Sequence, residues 1–235
     1  MNFLILNGKK SLGVQGLMIQ KLPPISKPLL RSQIDEIDGR DGDIITPLGY
    51  KAYDRTVEIG LTRFFDIDEV IKFFNSSGQV IFSNEPYKVY EYTILNQIDF
   101  QRLIRFRTAK VVFHVQPFKH SAVEFPQVFE SPLVNEEAVL IENEGNYFSK
   151  PTITIYGTGD IDVYLNGAKV FDIELGNEGY ITIDAEQLEA YKGTVLKNRL
   201  VTGNIDNFKL DIGDNYLGFA GSVTKVIIEK YSRWI

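Results

Sequence analysis

The chain has 235 residues, a formal net charge of −6 and a pI near 5.1. A polyanion offers such a chain no net counterion-release gain, so tight or sequence-specific nucleic-acid binding is not expected. The absence of cysteine excludes disulfides, thiolate metal sites and a cysteine nucleophile.

Hydrophobic residues make up 44% of the chain and charged residues 24%. That is the balance of a globular protein with core material for one large domain or two small ones. No segment reaches the ~18 apolar residues of a membrane helix, and the apolar run in MNFLILNGKK is too short for a signal peptide. Exit from a cell is therefore expected by lysis or within a particle, without membrane insertion.

In chain order, Asn2 to Leu6 reads as a strand, and Asn7-Gly8 is the preferred dipeptide of a two-residue hairpin. Leu17 to Leu22 is a second strand, broken by Pro23-Pro24 and Pro28. The excursion from Pro23 to Tyr50 has too few regularly spaced apolar residues for a core of its own, and reads as long and irregular. Within it lies a tight acidic turn, Asp38-Gly39-Arg40-Asp41-Gly42-Asp43, whose glycines allow φ > 0 twice. Arg40 is suited to bidentate pairing with a carboxylate of its own subunit or of a neighbour. The run from Tyr50 to Leu61 alternates as a strand.

One helix is predicted next. Asp66 caps it, Glu69 completes a capping box, and Ile67, Val70, Ile71 and Phe74 form its apolar face before Asn75 and Gly78 end it. Gln79 to Ser83, Tyr87 to Leu95, Gln97 to Arg107 and Lys110 to Gln116 read as strands. Tyr90, Tyr92 and Ile94 share one face, as do Val111, Phe113 and Val115. Alternation is lost from Phe118 to Asn135, around Pro117, Pro126 and Pro132, which marks an inter-domain connection. The boundaries are 1–130 for an N-terminal domain and 131–235 for a C-terminal one, whose last few residues are expected to pack back on the first.

The second half is a series of short strands. Ile153 to Tyr156 leads into a hairpin turn at Gly157-Thr158-Gly159-Asp160, and Asn166-Gly167 makes another. Val170 to Leu175, Tyr180 to Asp184, Asn207 to Ile212, Tyr216 to Ala220 and Thr224 to Lys230 follow, with one helical turn at Ala185 to Tyr191. This spacing suggests a jelly-roll β-sandwich.

Candidate chemistry is sparse. His114 and His120 lack helical i, i+4 spacing and a nearby acidic cluster, against a metal pair. Asp38 to Asp43 lacks the ligand order of a calcium loop. Gly157-Thr158-Gly159 precedes a strand, unlike a phosphate loop, and no Gly-x-Ser-x-Gly elbow occurs. Carboxylates are plentiful but form no recognisable glycosidase pair. Trp234, the only tryptophan, reads as a sugar platform or as an anchor that buries the C-terminus with Arg233. No catalytic, cofactor or metal site is assigned.

Two sets of residues carry a family resemblance. The first is the apolar lead-in, the Asp38–Asp43 turn and the strand that follows it. The second is Asn143 to Pro151, Ile181 to Asp184, Gly213 to Asn215 and Arg233-Trp234, in that order. Together they cover almost the whole chain and resemble the distal tail (Dit-like) proteins of long, non-contractile-tailed bacteriophages and prophages. The resemblance implies a mainly β fold: an N-terminal β-sandwich-like ring domain with one helix, and a C-terminal galectin-like sandwich. It implies no enzyme but a virion structural protein of the tail tip or baseplate, assembled in the host bacterial cytoplasm. It also implies a homo-oligomeric ring, commonly six subunits around a channel for DNA. That ring would join the tail tube protein to a tail-associated fibre or lysin protein and to receptor-binding proteins. An acidic chain fits a bore that DNA crosses without sticking. Asp38, Gly39, Arg40, Asp41 and Gly42 become candidate interface or shape-fixing residues, and Arg233 and Trp234 a C-terminal anchor. The alternatives are a carbohydrate-binding module acting directly on the host cell wall and a cell-wall hydrolase.

Overall fold

Residues 1–39, 41–74, 76–130 and 138–235 are described by a computed structural model. They form two units, Met1–Ala122 with Ile235, and Val123–Trp234.

The first unit contains β1 (Leu4–Leu6), β2 (Lys9–Lys10), β3 (Leu17–Lys21), β4 (Leu30–Asp35), β5 (Ile44–Tyr50), β6 (Tyr53–Leu61), β7 (Ser77–Phe82), β8 (Lys88–Ile94) and β9 (Thr108–Ser121). It also has two helices, α1 (Ile67–Phe73) and α2 (Phe100–Phe106). A curled antiparallel sheet runs in the order β2-β1-β7-β8-β9-β6-β3. Its alternating strands turn Val57, Ile59, Val80, Phe82, Tyr90, Tyr92, Val111, Phe113 and Val115 into one core with Val70 and Phe73 of α1 and Leu103 of α2. Phe82, Tyr90, Tyr92 and Phe113 meet edge-to-face, with centroids 5.1 to 5.8 Å apart.

Two helices stand where one was expected, because Gln97 to Arg107 is not a strand. The Asp99 carboxylate accepts from the Arg102 N–H at 2.8 Å, and Arg107 closes α2 in the left-handed region at φ 58°. Local capping and one buried Leu103 outweigh the β-like composition of that stretch. Helix α1 is capped by Asp66, which accepts from Asp68 and Glu69 N–H, but the capping box does not close. Glu69 instead accepts from the Gln15 N–H at 2.9 Å. The buried face of α1 is Val70 and Phe73, while Ile71 is exposed. The expected helix end at Asn75 lies outside the described residues.

The second unit contains β10 (Gln127–Glu130), β11 (Val139–Asn143), β12 (Thr152–Leu165), β13 (Ala168–Gly176), β14 (Tyr180–Asp184), β15 (Glu189–Lys192), β16 (Val195–Leu196), β17 (Val201–Gly203), β18 (Gly213–Glu229) and β19 (Arg233–Trp234). Two long strands organise it. The first part of β12 pairs with the last part of β18, flanked by β14 and β10; the remainder of each pairs with β13 and β11. The pair thus passes from one layer of a sandwich to the other, around a core that includes Ile153, Ile155, Val163, Phe171, Phe208, Leu217 and Ile228.

The expected hairpin at Gly157 to Asp160 is instead the bend of this single strand, with the ladder irregular between Thr158 and Asp162. A Cβ on Gly157 would lie 2.2 Å from the Ser222 carbonyl oxygen. At Gly221, φ 111°, a Cβ would lie 2.3 Å from the Asp160 carbonyl oxygen. Likewise Tyr216 to Ala220 and Thr224 to Lys230 are one strand, not two. Asn207 to Ile212 is no strand but a 3-10 turn followed by a bridge at Leu210. Ala185 to Tyr191 is a turn followed by β15. The stretch read as a connection also contributes the end of β9 and all of β10; its Ser131–Asn135 portion lies outside the described residues.

Candidate functional site

The excursion from Pro23 to Tyr50 is not irregular. β4 and β5 pair as a separate two-stranded hairpin, with Ile34 opposite Ile45, Asp35 opposite Ile44 and a register shift after Arg31. Six paired residues at about 3.4 Å each make an arm roughly 20 Å long. The apolar residues on it face water: Ile34 is 57% exposed, Ile45 61% and Leu48 54%. Ile34 and Ile45 lie on one face and Ile44 on the other, so neither face covers a core. A bare two-stranded ribbon is marginal in water. Contiguous exposed apolar side chains are characteristic of contact surfaces.

The acidic turn sits at the tip of this arm. Asp38, Gly39, Asp41 and Gly42 are exposed, with Gly39 at φ 81° and Gly42 at φ 79°. Arg40 lies outside the described residues.

The arm's base is fixed by a buried charged cluster that the sequence did not signal. Arg55 of β6 is 1% exposed; it donates to Glu85 at 2.9 Å and to the Pro24 carbonyl at 3.2 Å. Lys119 of β9 donates to the other Glu85 oxygen at 2.9 Å, and the Tyr90 hydroxyl donates to Glu85 as well. The Arg55 guanidinium lies 4.5 Å from the ring centres of both Phe82 and Tyr90. Asn84 donates to the Pro23 carbonyl at 3.0 Å, and the Lys51 N–H to the Leu29 carbonyl at 2.8 Å. Burial opposes the Glu85 carboxylate, but the Tyr90 hydroxyl, Lys119 and Arg55 together outweigh it and hold its pKa below the ordinary value. Burial, and then donation to Glu85, push the Tyr90 hydroxyl up. These bonds hold both ends of the proline-rich segment, so the hairpin leaves the sheet from a fixed point.

The motif residues of the second unit come together. Asn143 donates to the Tyr147 and Leu210 carbonyls at 2.9 and 3.2 Å, and accepts from the Gly145 N–H at 3.0 Å. Asn143 pairs with Gly213 across β11 and β18, and buried Asn215 accepts from the Asp211 N–H at 2.8 Å. Arg233 is 8% exposed; its Nε donates to the Phe148 carbonyl at 2.6 Å, and its guanidinium lies 4.6 Å from the Phe148 ring centre. Gly145 lies so close to Arg233 that a Cβ would be 2.3 Å from its carbonyl oxygen. Asp184, in the Ile181–Asp184 motif, pairs with Thr152, and the Ala185 N–H bonds the Pro151 carbonyl. The motifs therefore meet as one stitched edge of the sandwich, and Trp234 is partly buried beside Arg233 in sequence.

The remaining candidates stay apart. His114 Nδ1 is 2.7 Å from Asp54 on the polar face of the first sheet. Among the described residues no three ligating side chains gather for a metal, and no helix is long and apolar enough to cross a membrane. Tyr156 and Tyr180 stack with ring centres 5.3 Å apart, with Lys225 5.8 Å from the Tyr156 centre and Lys192 5.2 Å from the Tyr180 centre.

The unit boundary also divides the charge. Residues 1–122 carry 16 lysines and arginines against 13 aspartates and glutamates, and residues 123–235 carry 9 against 18. The acidity of the chain belongs to the second unit, so it does not describe any surface of the first.

No family model matches the chain, and no curated protein matches it. Among solved structures it is similar to the Dit protein of SPP1, described as a paradigm of the hub adsorption apparatus in phages infecting Gram-positive bacteria. The likeness covers 97% of this chain and 98% of that one, with a TM-score of 0.69 and 16% identity. Chains of the phage P2 baseplate in its activated conformation, with calcium or with strontium, match at 8% and 9% identity over 98% of each chain. Their TM-scores are 0.45 and 0.46. At 16% identity the likeness to SPP1 Dit is one of architecture, and along nearly its whole length this chain has the Dit fold.

Proposed function

We propose that the protein is a structural subunit of a phage tail tip or baseplate, working by assembly rather than catalysis. Copies close into a ring, six by the family resemblance, around a channel for DNA. The ring joins the tail tube to the tail-associated fibre or lysin and to host-binding proteins. The observation that carries this reading is the hairpin of β4 and β5, an arm with exposed Ile34, Ile44, Ile45 and Leu48 on a rigidly held base. A ring uses two different complementary surfaces on every copy, and an arm reaching to a neighbour supplies one of them. The Asp38–Gly42 turn then lies at the contact, while Arg233 and Trp234 anchor the C-terminus of the sandwich.

The test is the mass of the purified full-length protein in solution, with negative-stain images. A closed ring is expected. Ile34→Asp together with Ile45→Asp, both exposed in the single chain, should weaken ring formation at least about tenfold, the effect of removing one well-packed apolar contact. The circular dichroism spectrum should be unchanged. A protein that stays monomeric at high concentration, or rings indifferent to both substitutions, would overturn the assignment of the arm.

A further inference from the structure

We propose that α2 and the neighbouring segment Thr62 to Phe65 form a docking surface for another protein, whose contact face combines carboxylates with apolar side chains. Helix α2 is poorly covered. Of its seven residues only Leu103 is fully buried, whereas Ile104 is 41% exposed and Phe106 59%. Arg102 and Arg105 are exposed on the same short helix. The next residue, Arg107, ties this helix to the second segment. Its Nη1 donates to the Thr62 carbonyl at 3.1 Å, and its guanidinium lies 4.7 Å from the Phe65 ring centre. That bond sets exposed Arg63 and Phe64, the latter 74% exposed, beside the end of α2.

Among the described residues, Arg63, Arg102, Arg105 and Arg107 stand in no ion pair. Arg63 and Arg105 instead lie over the rings of Phe64 and Phe106, at 5.6 and 5.2 Å. A groove along the helix is lined by Asp99, Gln101, Arg102, Arg105 and Phe106. Arginine and aromatic side chains are the residues that anchor protein interfaces, and a guanidinium fork matches a carboxylate bidentately.

A nucleic acid fits less well. Phosphates offer nothing to the exposed side chains of Ile104 and Phe106. The occupant is therefore an acidic, partly apolar protein segment, whose carboxylates meet the arginines and whose apolar side chains meet Ile104 and Phe106.

The proposal does not rest on the ring reading. The probe is a labelled random copolymer of glutamate and tyrosine, added to the full-length protein and followed by fluorescence anisotropy. Poly-glutamate and a DNA duplex serve as comparisons. The copolymer should bind more tightly than either. The variant Arg102→Glu with Arg105→Glu, and separately Phe106→Ser, should each weaken it about tenfold or more. Both variants should keep the thermal midpoint and the oligomeric mass of the parent. Tighter binding of the duplex, equal binding of poly-glutamate, no copolymer binding, or variants that bind unchanged would each overturn the proposal. A changed oligomeric mass would also overturn it, by making the patch a contact between copies.

Discussion

Glu85 shows how one residue supports a whole surface. Its carboxylate is shared by Arg55, Lys119 and Tyr90, all largely out of water. Removing the charge leaves two buried cations, Arg55 and Lys119, without their counter-charge. Glu85→Gln should therefore destabilise the first unit by about 3 kcal/mol, the usual cost of breaking a buried pair, measured by urea unfolding at neutral pH. Because the folded-state pKa is depressed below 4.5, this stabilisation is complete above the ordinary carboxylate value and is lost as pH falls through the folded one. The parent should lose stability across that acid window more steeply than the variant. Equal slopes would show that Glu85 is not the titrating group.

Among elements, the bend shared by β12 and β18 sets the second unit. Gly221 at φ 111° lets the two strands change layer while staying paired. Gly221→Ala puts a methyl against the Asp160 carbonyl and forces a left-handed conformation. A loss of about 2 kcal/mol or more is expected from that strain, read as a lower melting temperature of the second unit alone. A neutral effect would mean that the strands relax around the bend. The two Asn-Gly hairpins are held by a common device: the Asn7 and Asn166 side chains each accept from the N–H of a third strand, at Gln79 and Tyr216. That explains why these turns, unlike the glycines at 157 to 159, end strands.

For the whole molecule, the two units have separate cores and opposite charge balance. We expect them to unfold as separate transitions and limited proteolysis to cut first between residues 122 and 138. Early cuts inside β9 would place the boundary elsewhere. Expression of the first unit alone should still give ring-sized oligomers, because the arm belongs to it. A monomeric first unit beside a ring-forming full chain would move the contact to the sandwich.

The period of the apolar residues was enough to identify most strands, the inward faces of β8 and β9, the Asp66 cap and the β-rich character of both halves, since those depend on neighbours one to four residues apart. The motifs around Asn143, Asn215 and Arg233 were visible in the sequence, but their role as one stitched edge was not, because it joins residues far apart in the chain. The same holds for the bend at Gly157 and Gly221, which only cross-strand contact distinguishes from a hairpin. The second helix was missed because its caps, Asp99 and Arg107, outweigh a composition that reads as strand. The arm and the Arg55–Glu85–Lys119 cluster at its base were decided by tertiary structure: burial of a charge, or exposure of an isoleucine, depends on what the rest of the fold brings beside it.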